Sequence, residues 1–320
     1  MKDPITATHS RTDLAIDSRL PEGVMTSTPS VVHGDTTLTK NALSALLQDC
    51  SIEVLPRTAA KIAQFADLLP LGRRVYIAHI EGSSIDDMVA TAARLRTEGY
   101  EPMPHIPARL VPDLPTLSHW VARYTNEAGV KQALLLGGGR GQPVGSFSDS
   151  MQLVETGVFD GFERLHFAGH PEGNRDIDPD GSDRELMAAL RWKQAFNERS
   201  DAAVALVTQF CFDPAPVVTW SQRLAEEGIE LPVHLGVAGP TKLQTLMKFA
   251  LSCGVGPSVK VLQKRARDVR KLLLPYEPTE FLEALQLALA NNPQMPIAQL
   301  HFFPLGGIAA SANWICDNSQ

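Results

Sequence analysis

Acidic, imidazole and amide side chains recur at the ends of short apolar runs in this 320-residue chain. Glu53 sits between Ile52 and Val54. His79 and Glu81 follow RVYIA, His105 lies in PMPHI, and His170, Glu172 and Asn174 follow RLHFAG. Thr208 and Gln209 lie in VTQF, His234 in LPVHLGV and His301 in AQLHFF. Side chains of these types move protons and hold heterocycles by hydrogen bonds. Strand alternation turns Glu53 away from its two aliphatic neighbours. If those neighbours pack against helices, Glu53 faces the inside of a barrel. A carboxylate there is costly unless it is paired or protonated. Protonation makes it a general acid near neutral pH. Pairing with a barrel Arg or Lys makes it structural. Both readings stand on the residues alone. No Ser–His–Asp set declares itself from spacing, and no His or Cys pair has metal-ligand spacing, so no metal is expected.

The elements that would position these groups alternate along the chain. Strand-like runs cover 51–55, 74–80, 101–106, 132–138, 164–169, 203–210, 231–237 and 298–305. Helix-like segments cover 58–68, 84–98, 114–127, 148–156, 182–198, 214–227, 240–252, 277–291 and 307–316. Eight β units, each followed by an α unit, predict an α/β fold, a (β/α)8 TIM barrel over 37–320. In such a barrel the C-terminal strand ends carry the site. A doubly wound open sheet is the alternative, but it usually has a Gly-rich turn after its first strand. Here that strand is followed by LPRTAAKI. The one glycine cluster, Gly137 to Gly141 in GGGRG, follows the fourth strand and fits neither phosphate-loop pattern. By itself it reads equally as a tight turn. Residues 1–36 are rich in Thr, Ser, Asp and Pro and predict a flexible N-terminal extension. Leu43, Leu46 and Leu47 have helical spacing and could cover one end of the domain. The basic run Lys260 to Lys271 reads as a solvated helix face.

Composition narrows the function. Apolar residues make up 44% and charged residues 20%, enough for a large core. Lys and Arg total 29 against 36 Asp and Glu, a net charge of -7, which opposes a general nucleic-acid or anionic-membrane role. No apolar run has bilayer length, and the N-terminus lacks a secretory core, so a cytoplasmic protein is expected. Cys50, Cys211, Cys253 and Cys316 are scattered and are expected to be buried thiols.

The stretch LVTQFCFDPAPVVTWSQRLAEEGIELPVHLGVAGPTKLQTLMKFA (206–250) resembles methylenetetrahydrofolate reductases, whose sixth strand carries T-Q-F-F-F-D. Other likenesses follow in order. IEVLPRT (52–58) is similar to F-E-F-F-P-P-R-T, PHI (104–106) to P-H-L, FAGHPEGN (167–174) to A-G-Y-P-E-x-H, and LHFFPL (300–305) to F-H-F-Y-T-L. The resemblance implies a (β/α)8 barrel with FAD bound non-covalently at the strand C-termini. NADH or NADPH would reduce the flavin, which would reduce 5,10-methylenetetrahydrofolate to 5-methyltetrahydrofolate in one-carbon metabolism and methionine biosynthesis. It implies Glu53 as the acid that opens the folate ring and Gln209 as the amide bonding the folate or nicotinamide. His105 matches a flavin-contacting histidine and Lys193 a lysine at the FAD phosphates. Gly138, Gly139, Arg140, Ala168, His170 and Asn174 fall at further cofactor positions, and Leu243 at that of a substrate-stacking aromatic.

The chain also departs from the family. Gly139 stands where the family has an aspartate near flavin and pterin. Arg140 follows it and could bring positive charge to the cofactor. His170 and Asn174 replace Tyr and His, and Gly307 stands where a folate-associated arginine is expected. Three functions therefore remain open. One is a flavin-dependent reductase acting on folate, expected to be a homo-oligomer. The second is a flavin-free folate-binding one-carbon transfer protein. The third is a folate-binding subunit of a demethylation system.

Overall fold

The computed structural model describes residues 44–252, 262 and 275–319. The predicted 1–36 extension and the basic run, Leu262 excepted, lie outside the described residues. Eight parallel strands close into a barrel in sequence order. They are β1 (Ser51–Val54), β2 (Arg74–Ile77), β3 (Glu101–Pro107), β4 (Gln132–Leu136), β5 (Arg164–Gly169), β6 (Ala203–Cys211), β7 (Val233–Ala238) and β8 (Ile297–Phe303). β1 pairs with β2 on one side and β8 on the other, with Ser51 in register with His301, and this closes the ring.

The helices between strands begin and end where side chains can satisfy loose backbone groups. They are α1 (Pro56–Ala59), α2 (Ile85–Thr97), α3 (Leu114–Ala128), α4 (Ser150–Glu155), α5 (Arg184–Asn197), α6 (Pro214–Glu226), α7 (Leu243–Ser252), α8 (Thr279–Asn291) and α9 (Ile308–Asn318). Asp113, Asp149 and Asp213 cap α3, α4 and α6 by accepting from backbone N–H groups of the first turn. α3 ends at Gly129, whose φ of 57° is left-handed.

The helical reading of 58–68 is corrected. It is one turn, α1, followed by a 3-10 turn at Phe65–Asp67. The guanidinium of Arg94, on α2, donates to the carbonyls of Ala59, Ile62 and Ala63 at 2.9, 2.7 and 3.1 Å. Those oxygens are thereby satisfied without a continuous helix. The thiols are also less uniform than expected. Cys50 and Cys211 are buried, while Cys316 is exposed near the end of α9. Cys253 lies outside the described residues.

The main apolar core lies between strands and helices and includes Ile52 and Val54, both buried. That packing turns Glu53 inward, as alternation requires. Leu47, in the helical turn at 44–48, is buried in the same core. Among the described residues no helix is long and apolar enough to cross a membrane.

Candidate functional site

The barrel interior is polar at its N-terminal end, and there the side chains bond one another. Arg74 donates to the side-chain oxygens of Gln132 at 3.0 Å and Gln299 at 3.3 Å. Gln132 donates in turn to Glu101 at 3.2 Å. Above this layer lie Tyr76, His166, His234 and His301. The Tyr76 hydroxyl and His166 Nδ1 share a hydrogen bond of 2.6 Å. His166 and His234 meet edge to face at 4.6 Å, and the rings of Tyr76 and His301 are 4.3 Å apart. Burial pushes His234 and His301 down to about 3 and His166 well below its ordinary value, so all three are neutral at neutral pH.

Glu53 lies at the mouth of this column. Its Oε2 is 3.4 Å from His105 Nε2 and 4.0 Å from His301 Nε2. Burial raises the carboxyl, and the nearby His105 only partly opposes the rise. Burial also takes His105 down to about 4, although Glu53 pulls it up. Glu53 and His105 are therefore not an ion pair at neutral pH. His105 is a neutral imidazole there, and the carboxyl keeps its proton further up the pH scale than an exposed one does. The side chain of Glu53 is 19% exposed, so it is reachable from the mouth. Of the two readings of Glu53, the structure excludes pairing with a lysine or arginine among the described residues.

The remaining expected residues do not all join this pair. Gln209 sits on a bulge of β6, where the register to β7 shifts. Its Oε1 accepts from the Phe210 N–H at 3.1 Å. Thr208 Oγ1 accepts from the Gly236 N–H at 2.9 Å across the bulge. Leu243 is buried with Phe210, Phe212, Ala238 and Tyr276 in a second apolar cluster. Gly138 is left-handed (φ 94°), and a Cβ there would meet the Pro107 Cβ at 3.0 Å. Gly139 has open space where its side chain would be. Arg140 pairs with Glu81 and donates to the Gln142 carbonyl. Asn174 Oδ1 accepts from the Asp176 N–H at 2.9 Å within a turn. Ala168, His170 and Lys193 line a cavity of about 30 Å³ beside Trp220. Lys193 is buried, donates to the Ala168 carbonyl at 2.9 Å, and is lowered by burial to about 8. His79 packs on Trp120 at 5.2 Å.

Residue types and spacing do not single out Ser51, Tyr76 or His166, yet these shape the acid's surroundings. The one usable signal is alternation, since Ser51 lies two residues before Glu53 and Tyr76 lies between buried Val75 and Ile77.

A flavin dinucleotide would need cations at its diphosphate. The two expected there are engaged: Lys193 is buried on a main-chain carbonyl and Arg140 is bonded to Glu81. These positions, as they stand, do not fit that group. No group of three or more metal-ligating side chains is present among the described residues.

No protein-family model matches this chain. Among solved structures it is similar to an uncharacterized protein from Clostridium thermocellum that binds two copies of 5-methyl-5,6,7,8-tetrahydrofolic acid. The identity is 12%, the match covers 86% of this chain and 97% of that one, and the TM-score is 0.53. That likeness shows the barrel fold. The carboxyl transferase domain from Rhizobium etli pyruvate carboxylase, solved with 3-bromopyruvate, is more distant, at 9% identity and a TM-score of 0.38. The match covers 83% of this chain and 53% of that one, and at this distance it carries no functional meaning.

Proposed function

We propose that this chain binds a reduced folate in the barrel mouth. Glu53 then serves as the acid in interconversion of 5,10-methylenetetrahydrofolate and 5-methyltetrahydrofolate. The observation that carries the reading is the placement of Glu53 Oε2, 3.4 and 4.0 Å from the Nε2 atoms of His105 and His301, on a side chain that stays 19% exposed. Opening the five-membered ring of the methylene folate needs a proton on the leaving nitrogen. A carboxyl that burial raises is better placed to supply it than an exposed one. The bound folate of the Clostridium thermocellum protein, on the same fold, supports the ligand class. NADH or NADPH is the proposed hydride source.

The engaged Lys193 and Arg140 favour a route without FAD.

Titration calorimetry of the purified full chain with 5-methyltetrahydrofolate tests the ligand. Saturable one-to-one or two-to-one binding is expected, and absence of heat at millimolar folate would sink the proposal. A visible spectrum, repeated after FAD is added back and excess removed, tests the route without FAD, which retained flavin bands would overturn.

A further inference from the structure

Glu53 has a second nitrogen facing it besides His105, and that nitrogen belongs to a ring held from behind. His301 Nδ1 shares a 2.9 Å hydrogen bond with Ser51 Oγ, and both side chains are fully buried. The opposite nitrogen, Nε2, points at Glu53 Oε2 across 4.0 Å and has no hydrogen-bond partner among the described residues. We propose that His301 is a positioning residue for Glu53, and that Ser51 fixes its tautomer so that an Nε2–H faces the carboxyl.

The tautomer follows from counting donors and acceptors. Nδ1 is the one partner of the Ser51 hydroxyl among the described residues. If Nδ1 carried the proton and donated, the hydroxyl hydrogen would be buried with no acceptor. If the hydroxyl donates to Nδ1, that hydrogen is satisfied and the ring proton must sit on Nε2. Either arrangement strands one buried donor, the hydroxyl in the first and Nε2–H in the second, but only the second aims that donor at an acceptor, Glu53 Oε2, so the second is the one selected. The 4.0 Å gap is roughly an ångström longer than a hydrogen bond. Acid–base contacts in ligand-free sites are often long and tighten when substrate binds.

The consequence is a limit on the acid. Burial alone raises the Glu53 carboxyl. An N–H aimed at the carboxyl favours its ionised form, so proton release to the substrate stays possible. The other groups facing the pair are His105 from β3 and the Tyr76 phenol from β2. Arg74, also from β2, His166 from β5 and His234 from β7 act on His301 or are acted on by it. His105 Nε2 is the nearer nitrogen to Glu53 Oε2, at 3.4 Å, but none of these five lies on the Ser51–His301 line. This inference rests on the proposed folate reaction only for what Glu53 does with its proton.

Two measurements on the full chain decide it without substrate. The first is NMR of histidine-labelled protein, with the His301 signals assigned by their loss in His301→Gln. The Nε2–H tautomer is expected in the wild type and a shift toward Nδ1–H in Ser51→Ala. The second is the carboxyl carbon titration of Glu53, assigned with Glu53→Gln. Its midpoint should rise by ~0.5–1 pH unit in Ser51→Ala, because a bare nitrogen lone pair then favours the protonated acid. Ser51→Thr, which keeps the hydroxyl, should return both signals. An Nδ1–H tautomer in the wild type, or an unmoved Glu53 midpoint in Ser51→Ala, overturns the proposal. A Ser51 that only packs would lower stability and leave the midpoint in place. Failure to bind folate would remove the proposed function and leave these two readings untouched.

Discussion

The two ends of the barrel interior are both polar, but they are finished differently. At the N-terminal end, Arg74, Glu101, Gln132 and Gln299 bond one another within 3.3 Å. At the C-terminal end, Glu53, His105 and His301 stand 3.4 and 4.0 Å apart, and the facing histidine nitrogens make no hydrogen bond among the described residues. A closed polar network is a structural device, and its worth is in stability. Groups left close but unbonded, with shifted protonation, are available to a ligand. The same division holds for barrels generally, where the strand C-termini carry the chemistry.

The sharpest way to break this comparison is Glu53→Gln. The amide keeps the shape and cannot give a proton. Single-turnover conversion of 5,10-methylenetetrahydrofolate should slow by ~10²–10⁴-fold. Unfolding in urea should show no loss of stability, because a buried acid is replaced by a neutral group. An unchanged turnover would take Glu53 out of the chemistry.

Arg74→Met is the opposite experiment. It strands the side-chain oxygens of Gln132 and Gln299, at ~1–3 kcal/mol for each unsatisfied group. The urea midpoint should fall clearly while folate affinity stays within about twofold. A large loss of folate binding in a stable Arg74→Met protein would show that the closed end belongs to the site.

Acid titration probes the buried histidines. Burial holds His105 and His170 at about 4 and His234 and His301 at about 3, against an ordinary 6.5. Between those limits the unfolded chain binds protons that the folded one refuses. Stability from these rings is therefore full above pH 6.5 and is lost as pH falls from 6.5 through 4 toward 3. Urea midpoints measured across this range should drop with several protons taken up on unfolding. A flat profile would mean that the rings are protonated in the fold.

Much of this arrangement is legible in the sequence, for physical reasons that also mark where it stops. The eight strands are legible because parallel barrel strands are buried on both faces and read as dense apolar runs. Glu53 is legible because two aliphatic residues bracket it, and alternation then has one outcome. The Ser51–His301 contact is not legible, because its partners lie 250 residues apart and meet only when β1 and β8 close the ring. Lys193 shows a different limit. Its position on α5 is readable, but the carbonyl of Ala168 that engages it is a backbone group with no sequence signature. Leu243 is similar, since an apolar residue at the start of α7 can face a cleft or a core, and packing against Phe210 and Phe212 settles it for the core.

A smaller effect is expected where β6 bends. The bulge brings the β6 backbone against β7, and a Cβ on Gly236 would lie 2.6 Å from the Thr208 carbonyl oxygen. Gly236→Ala should therefore cost ~1–3 kcal/mol in urea unfolding, the usual range for forced crowding in a packed interior. It should also weaken folate binding by displacing Gln209. A fully stable Gly236→Ala protein would show that the bulge is loose and does not set the position of Gln209.

The smallest effect is the most informative about Gln209 itself. Its Oε1 already accepts from the Phe210 N–H, which ties the side chain to its own strand. The amide NH2 remains as a donor for an acceptor atom of the bound heterocycle. Gln209→Ala removes both contacts, so loss of bulge stability and loss of ligand affinity arrive together. Gln209→Glu separates them, because a carboxylate oxygen can still accept from Phe210 while no donor is left. If the amide holds the ligand, Gln209→Glu should keep the urea midpoint and weaken folate binding by at least ~0.5–1.5 kcal/mol, or ~2–10-fold in Kd. Charge repulsion from an acidic ligand would add to that loss, so salt should recover only the excess. If Gln209→Glu binds folate as well as wild type and only Gln209→Ala is weak, Gln209 serves the bulge, and the mouth holds its ligand through the Glu53 side alone.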